Sequence, residues 1–322
     1  MNRSTSLNAI GVDIGGSSIK AGIVTSTGSI LHQLSVPVSR TDAQTLIGDV
    51  LATIARLQHI ASVDAIGIAS TGVTDAEQGV VLQSTTIKDY DGTNWKDILV
   101  REYNLPVIVE NDVKAAAWGE YKSVHLPANS TVSFIAVGTG IGCGLIVDGK
   151  IWHGTSFAAG EIGYITIDTN GPEYNGNVGC LEFYAAAPSI IRYVQEKVQC
   201  GYRGKLLELA HDNPHFIYLP LIREAEDMGD ELAREAFKIA GEMLGVGIVN
   251  LVHLFNPNMV ILGGGVVEAS KTYLKAAISL AMRRILRSAR IGLEITPAQL
   301  GNNAAIVGAG LLAIERGQAL NL

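Results

Sequence analysis

Two segments of this chain carry the residue types from which phosphate-binding turns are built. Asp13-Ile14-Gly15-Gly16-Ser17-Ser18 leads into Ile19-Lys20, and Gly138-Thr139-Gly140-Ile141-Gly142 follows Ala136-Val137. Glycine permits positive φ and close backbone approach, so successive N–H groups can form a nest for phosphate oxygens. The hydroxyls of Ser17, Ser18 and Thr139 add donors, and Lys20 is counted with the first turn. Asp13, closing an apolar run, can face Mg²⁺ bound to phosphates, usually through water; otherwise it is an ordinary turn aspartate. Neither segment is a P-loop, since nothing reads G-x-x-x-x-G-K-[ST]. The dinucleotide fingerprint G-x-G-x-x-G also fails, because Cys143 stands at its last glycine and the pattern that follows is a strand. A third run, Gly263-Gly264-Gly265, sits between an apolar strand pattern and a helical one, where it suits an adenosine or a phosphate. One such turn alone reads as a tight turn; three at strand ends, two of them duplicated, favour nucleotide binding.

Asn111-Asp112 lies where the strand pattern Val107-Ile108-Val109 hands over to a helix. Taken alone, an aspartate there is an N-cap. The functional alternative is a general base facing a cleft, with Asn111 holding a hydroxyl of the substrate.

The elements that must position these residues alternate between strand and helix. Strands are expected at Ala9–Ile14, Ile19–Val24, Asp64–Ala69, Pro106–Val109, Val132–Val137 and Met259–Leu262, with a hairpin around Asp148-Gly149. Helices are expected from a Thr41/Asp42 cap through Leu57, over Asp112–Tyr121, Asp230–Phe255 and Lys271–Ile285, and at the closing stretch. Ile14 to Val24 echoes Ala136 to Ile146, each copy reading strand, glycine and hydroxyl turn, strand. A period of 122 residues, from Ile14 to Ala136, is too long for a solenoid and indicates a duplicated α/β domain. The expected organisation is an N-terminal lobe over 1–121 and a C-terminal lobe over 122–322, with the last helix (about 303–318) packing back on the first. Two such lobes would enclose a cleft suited to a small molecule.

The chain has 322 residues, a net charge of −7, 17% charged residues and 48% apolar ones. So much apolar surface supports a packed core. The acidic balance argues against nucleic acid or an anionic membrane held by bulk charge. The charge-free stretch Ser123–Val147 holds Pro127 and four glycines, which suits buried strands better than a membrane span. A polar start without a signal-peptide pattern, and three cysteines without CxxC spacing, fit a reduced cytoplasmic protein.

Asp13-Ile14-Gly15-Gly16-Ser17, Glu110-Asn111-Asp112, Gly138 to Gly144, Ala159-Gly160-Glu161-Ile162-Gly163-Tyr164, Gly179-Cys180-Leu181-Glu182 and Asn256-Pro257-Asn258 with Gly263 to Gly265 occur in this order. Together they resemble the ROK family (repressors, open reading frames, sugar kinases) over nearly the whole chain. The resemblance implies a two-lobed actin/hexokinase-like fold, built from duplicated ribonuclease H-like domains around a central cleft. It implies ATP, Mg²⁺, and γ-phosphoryl transfer to a sugar hydroxyl. By position, Asp13, Gly15, Gly16, Ser17, Ser18, Lys20, Gly138, Thr139, Gly140 and Gly142 resemble the phosphate turns. Gly263, Gly264 and Gly265 resemble the adenosine-side segment. Asn111, Glu161 and Glu182 match sugar-contacting positions, Tyr164 stands at another, Gly72 matches a backbone contact, and Asp112 matches the catalytic base. The resemblance also implies a homodimer.

Many members of that family carry a His where this chain has Tyr164, with a cysteine cluster that jointly binds a structural zinc. Here one cysteine, Cys180, remains in the segment, and one thiolate cannot assemble four ligands, so no zinc is expected. Tyr164 resembles the β-glucoside kinases of the family. A glucose-type hexose, phosphorylated at the 6-hydroxyl, is the first expectation; a β-glucoside or an N-acetylhexosamine is the alternative. A sugar sensor or regulator without its own DNA-binding domain is the alternative of another class.

Overall fold

The computed structural model describes residues 7–16, 18–38, 42–84, 87–124 and 126–320; Ser17 and Thr41, named above, lie outside the described residues. The chain divides into two compact units. One comprises Met1–Asn129, Gly144–Ala159 and Asn302–Leu322, the other Ser130–Cys143 and Gly160–Gly301. The boundary therefore falls past Asn129, where the sequence pattern suggested Tyr121, and Gly144–Ala159 groups with the first unit. A close approach explains the return. A Cβ at Gly144 would sit 2.3 Å from Ala117 Cβ, so only glycine lets that strand lie against the helix starting at Asp112.

In the first unit β1 (Asn8–Ile14), β2 (Ser18–Thr25) and β3 (Ile30–Pro37) run antiparallel in sequence. A helix α1 (Ala43–Gln58) leads to β4 (Ala65–Ser70), which pairs parallel to β1. A small hairpin, β5 (Val73–Asp75) with β6 (Val80–Gln83), and α2 (Trp95–Tyr103) precede β7 (Val107–Asn111) and α3 (Asp112–Ser123). The sheet order is β3-β2-β1-β4-β7.

Period-two alternation sorts its two faces. Ile10, Val12, Ile14, Ile66 and Ile68 pack into one core with Leu46, Val50, Ile54 and Leu57 of α1. That helix starts where Asp42 accepts the Thr45 N–H at 2.8 Å. The other face is lined by Ala9, Gly11, Ala65, Gly67 and Ala69, and the closing helix Ala304–Leu320 lies on it. The fit is tight: a Cβ at Gly11 would stand 2.1 Å from Ile306 O, and one at Gly67 2.0 Å from Ala309 O. The same helix meets α3 at Gly308, where a Cβ would lie 1.7 Å from Ala115 O.

The second sheet has the order β10-β9-β8-β13-β14. Its strands are β8 (Val132–Val137), β9 (Ile141–Val147), β10 (Lys150–Ile151), β13 (Met259–Gly263) and β14 (Glu294–Pro297). Between β10 and β13 come the hairpin β11 (Glu173–Tyr174) and β12 (Asn177–Val178), then α4 (Leu181–Ala185), α5 (Ala187–Gln199), α6 (Lys205–Leu209), α7 (Leu219–Asp227) and α8 (Glu231–Phe255). After β13 follow α9 (Gly265–Ala269) and α10 (Lys271–Arg284). β13 runs parallel to β8 and to β14, as β4 does to β1 and β7, so the two sheets repeat one plan. β9 and β10 join through Asp148 and Gly149, both at positive φ, as a two-residue hairpin requires.

α8 is long and apolar enough to cross a membrane by length and composition. Its Leu232, Ala236, Phe237, Ala240, Leu244, Ile248 and Val252 are buried, which makes it a core helix of the second unit.

Candidate active site

In the first unit the sugar-site candidates converge at the end of β7. Asn111 has extended backbone (φ −63, ψ 144), and its Oδ1 accepts the Lys114 N–H at 3.0 Å. Asn111, not Asp112, is thus the N-cap of α3, and Asp112 is the first helical residue. The alternative that Asp112 serves as the cap is set aside on this geometry. Asn111 Nδ2 donates to Asp112 Oδ1 at 2.9 Å and to Gly72 O at 3.0 Å, so Gly72, Asn111 and Asp112 form one constellation. Gly72 has φ +91, and a Cβ there would lie 2.4 Å from Gln83 O, which excludes other residues.

A buried ring of donors lies next to this group. Tyr90 Oη is 2.8 Å from Ser70 Oγ and accepts the Trp95 indole N–H at 2.8 Å. Burial, with the Asp112 charge adding, pushes the Tyr90 phenol up to about 12 despite those two bonds. Tyr90 therefore stays neutral, as a polar support beside the carboxylate.

At the same end of this sheet, where Asp13, Ala69 and Glu110 are level across the parallel strands β1, β4 and β7, Asp13 stands across from Lys20 of β2. Gly15 N–H donates to Ser18 O at 3.1 Å and closes the turn. Burial pushes the Asp13 carboxyl up to about 6, with Lys20 pulling only partly the other way. A half-buried carboxylate so reluctant to ionise is one that a cation would re-ionise, which suits Mg²⁺.

In the second unit, the Gly138–Gly142 turn and the carboxylate of Glu182 are in contact. Gly138 N–H donates to Gly140 O at 2.9 Å, and Gly138 O accepts the Ala187 N–H at 2.9 Å. Glu182, in the first turn of α4, accepts the Ile141 N–H on Oε2 at 2.8 Å. A Cβ at Gly140 would sit 2.6 Å from that oxygen. One carboxylate oxygen of Glu182 is thus committed to the turn, while Oε1 receives a long bond, 3.4 Å, from Asn175 Nδ2. Sequence reasoning missed Asn175, since a hairpin asparagine carries no signal of its own.

Gly160, at φ +95, presses on Cys143: a Cβ would lie 1.9 Å from Cys143 O, and Gly160 O accepts the Cys143 N–H at 3.0 Å. This fixes Glu161 and the short 3₁₀ turn Ile162–Tyr164 beside the start of β9. Burial, then the charges of Glu182 and Glu161, raise the Tyr164 phenol above its ordinary value, so these three side chains share one neighbourhood. Tyr164 is 42% exposed, open to a ligand. Gly264 (φ +90) packs on Val137, with a Cβ position 2.4 Å from Val137 O, so the Gly263–Gly265 run adjoins the strand that ends in the Gly138 turn. Among the described residues, no cluster of three or more His, Cys, Asp or Glu residues has the arrangement of a metal site.

The structure thus assembles Gly72, Asn111 and Asp112 in one unit, and Gly138 to Gly142, Glu161, Tyr164, Glu182 and Gly263 to Gly265 in the other. The ROK family profile matches residues 9–316. The chain belongs to the ROK family. It is 32% identical over 317 residues to a glucokinase of Halalkalibacterium halodurans, covering 95% of both chains. The structure of a ROK family glucokinase from Streptomyces griseus, in complex with glucose and AMPPNP, superimposes with a TM-score of 0.85 at 33% identity, covering 96% of this chain and 99% of that one. A xylose repressor of Bacillus spizizenii is 29% identical over 318 residues, covering 95% of this chain and 77% of the repressor. The mixed α/β fold with two sheets of one plan is that of the ROK glucokinases.

Proposed function

We propose that this ROK protein transfers the γ-phosphoryl of ATP to the 6-hydroxyl of a glucose-type hexose, with Asp112 as general base. The chain is an ATP-dependent sugar kinase, given full-length likeness to glucokinases. The observation that carries the residue assignment is the Gly72–Asn111–Asp112 constellation, in which the cap role falls to Asn111.

A sugar hydroxyl has a pKa far above 7, so its attack on phosphorus needs a carboxylate to orient it and take its proton. Asp112 Oδ1 is held by Asn111 Nδ2 and by the Val113 N–H at 2.8 Å, which leaves the orientation of Oδ2 defined by the first turn of α3. Asn111 and Glu182 supply the amide and carboxylate that recognise sugar hydroxyls, with Glu161 and Tyr164 beside Glu182. The Gly15 and Gly138 N–H groups bond within their turns and hold them in shape. Other backbone N–H groups of the two turns, that of Gly140 in the second, would receive phosphate oxygens, and Gly263 to Gly265 the adenosine side. Asp13 is the residue to hold Mg²⁺, directly or through water; when bound, the ion neutralises charge on the phosphates. Tyr164 in the hexose-facing group favours β-glucosides as a second substrate class, because an exposed phenol can stack on a substituent at C1. We place the kinase in the cytoplasm.

An ATP-coupled panel of hexoses, amino sugars and β-glucosides, with the phosphate position mapped in the product, tests this. A product carrying phosphate at C6 of glucose is expected. ATP turnover that does not respond to any sugar would favour the sensor reading, for which the likeness to a xylose repressor speaks.

A further inference from the structure

Glu110, the residue before the Asn111–Asp112 pair, is buried to 1% exposure and has both carboxylate oxygens engaged. Oε1 accepts the Asn111 N–H at 2.9 Å, and Oε2 lies 2.7 Å from His153 Nε2. A buried carboxylate without its partner is strongly unfavourable, so His153 fixes where Glu110 can be. Glu110 in turn fixes the backbone of Asn111, whose side chain holds both Asp112 Oδ1 and Gly72 O.

His153 opens a compact loop of the same unit. Gly154 and Phe157 have φ of +71° and +61°, and Ala159 N–H donates to His153 O at 3.0 Å. The loop is tied a second time. Lys114, buried in the first turn of α3, donates its Nζ to Phe157 O, and the Phe157 ring stands edge-on to His153 at 5.8 Å. Both ends of the loop are therefore anchored on the strand-to-helix junction that carries Asp112. A non-glycine residue at positive φ persists only where its surroundings over-determine it.

We propose that His153 is a positioning residue for Asp112, acting through Glu110 and Asn111, with the Lys114–Phe157 bond holding the loop that presents it. This rests on Asp112 being the base. Nε2–H of the imidazole donates to the Glu110 carboxylate, and no proton leaves the pair during turnover; its contribution is orientation. Misplacement of a reacting group by about 1 Å can cost 10²-fold in rate.

The test compares His153→Ala, His153→Gln and Asp112→Ala in the full-length kinase, with kcat and the sugar KM measured separately and thermal melting recorded for each. Glutamine places its amide N–H close to where Nε2–H stands. The expected result is a kcat for His153→Ala lowered about 10- to 100-fold, a sugar KM within about threefold, and recovery of most of the loss in His153→Gln. Should His153→Ala not fold, Glu110→Gln carries the same measurement, since an amide cannot accept both the Asn111 N–H and the His153 N–H. Unchanged kcat in His153→Ala, or a folded glutamine variant as slow as the alanine one, overturns the proposal. Turnover retained in Asp112→Ala would instead remove the base assignment, whatever His153 does.

Discussion

The two glycine turns close equivalent strand pairs in sheets of one plan, β1–β2 and β8–β9, yet they differ in charge. The sequence echo sets Asp13 against Ile135 and Lys20 against Gly142. Ile135 is fully buried among apolar neighbours, whereas Asp13 and Lys20 face each other across the β1–β2 ladder. Duplication has kept the backbone geometry and let the chemistry diverge. The first turn can present a carboxylate to a cation; the second offers only neutral N–H and hydroxyl donors, with Glu182 braced against it. The base candidate also sits in the charged unit, on α3.

If function divides this way, the largest loss follows removal of a carboxylate from the first unit. Asp112→Ala should lower turnover by about 10²- to 10⁴-fold while calorimetry still records sugar and ATP binding; near-normal turnover would break the division at once. The neutral turn is probed by Gly138→Ala. Nothing lies within 4 Å of the Cβ position there, so the melting temperature should hold. The KM for ATP should nonetheless rise about tenfold, by crowding phosphate oxygens off the nest. An unaltered KM would mean that the second turn does not cradle the nucleotide.

The fold was legible where periodicity and punctuation agreed. β1, α3, β8 and α8 stand within a few residues of their apolar patterns; Asp42 caps α1 as its position suggested, and Asp230, expected as the first residue of α8, is its N-cap. The candidate site reads from the sequence as three glycine turns and an Asn-Asp junction, because glycine marks backbone that other residues adopt at a cost and Asn or Asp marks a helix start. Three things were not legible. Whether Asn111 or Asp112 caps α3 depends on side-chain torsions that spacing does not encode. The grouping of Gly144–Ala159 with the first unit depends on contact with Ala117, which is distant in sequence. The Glu110–His153 pair joins residues 43 apart, and neither belongs to a local pattern.

A smaller effect tests the charge of the first turn through pH. The Asp13 carboxyl sits at about 6 in the folded chain, above the ordinary 3.8. Activity at subsaturating Mg²⁺-ATP should fall several-fold as the pH drops through 6, and Asp13→Asn should be weak at every pH and lack that limb. Stability has the opposite sense. A raised carboxyl favours the protonated fold below about 3.8, and that contribution is lost as pH rises through about 6. Asp13→Asn should therefore gain on the wild type between pH 4 and pH 7, by about 1–2 kcal/mol in denaturant unfolding of the nucleotide-free protein. A wild-type profile flat across this range would detach Asp13 from the nucleotide. The smallest effect expected is none at all: protein purified without added metal should carry far less than one zinc per chain, and a chelator should leave its melting curve in place. Stoichiometric zinc would require ligands beyond Cys180.

The first unit is sewn from three separated stretches of chain, and the closing helix lies flush against both its sheet and α3. That helix is translated after the strands and the helix it covers. Until the helix Ala304–Leu320 emerges, the small-residue face of the sheet has no cover and α3 has no backing, so a polypeptide truncated before Ala304 should have no catalytic competence.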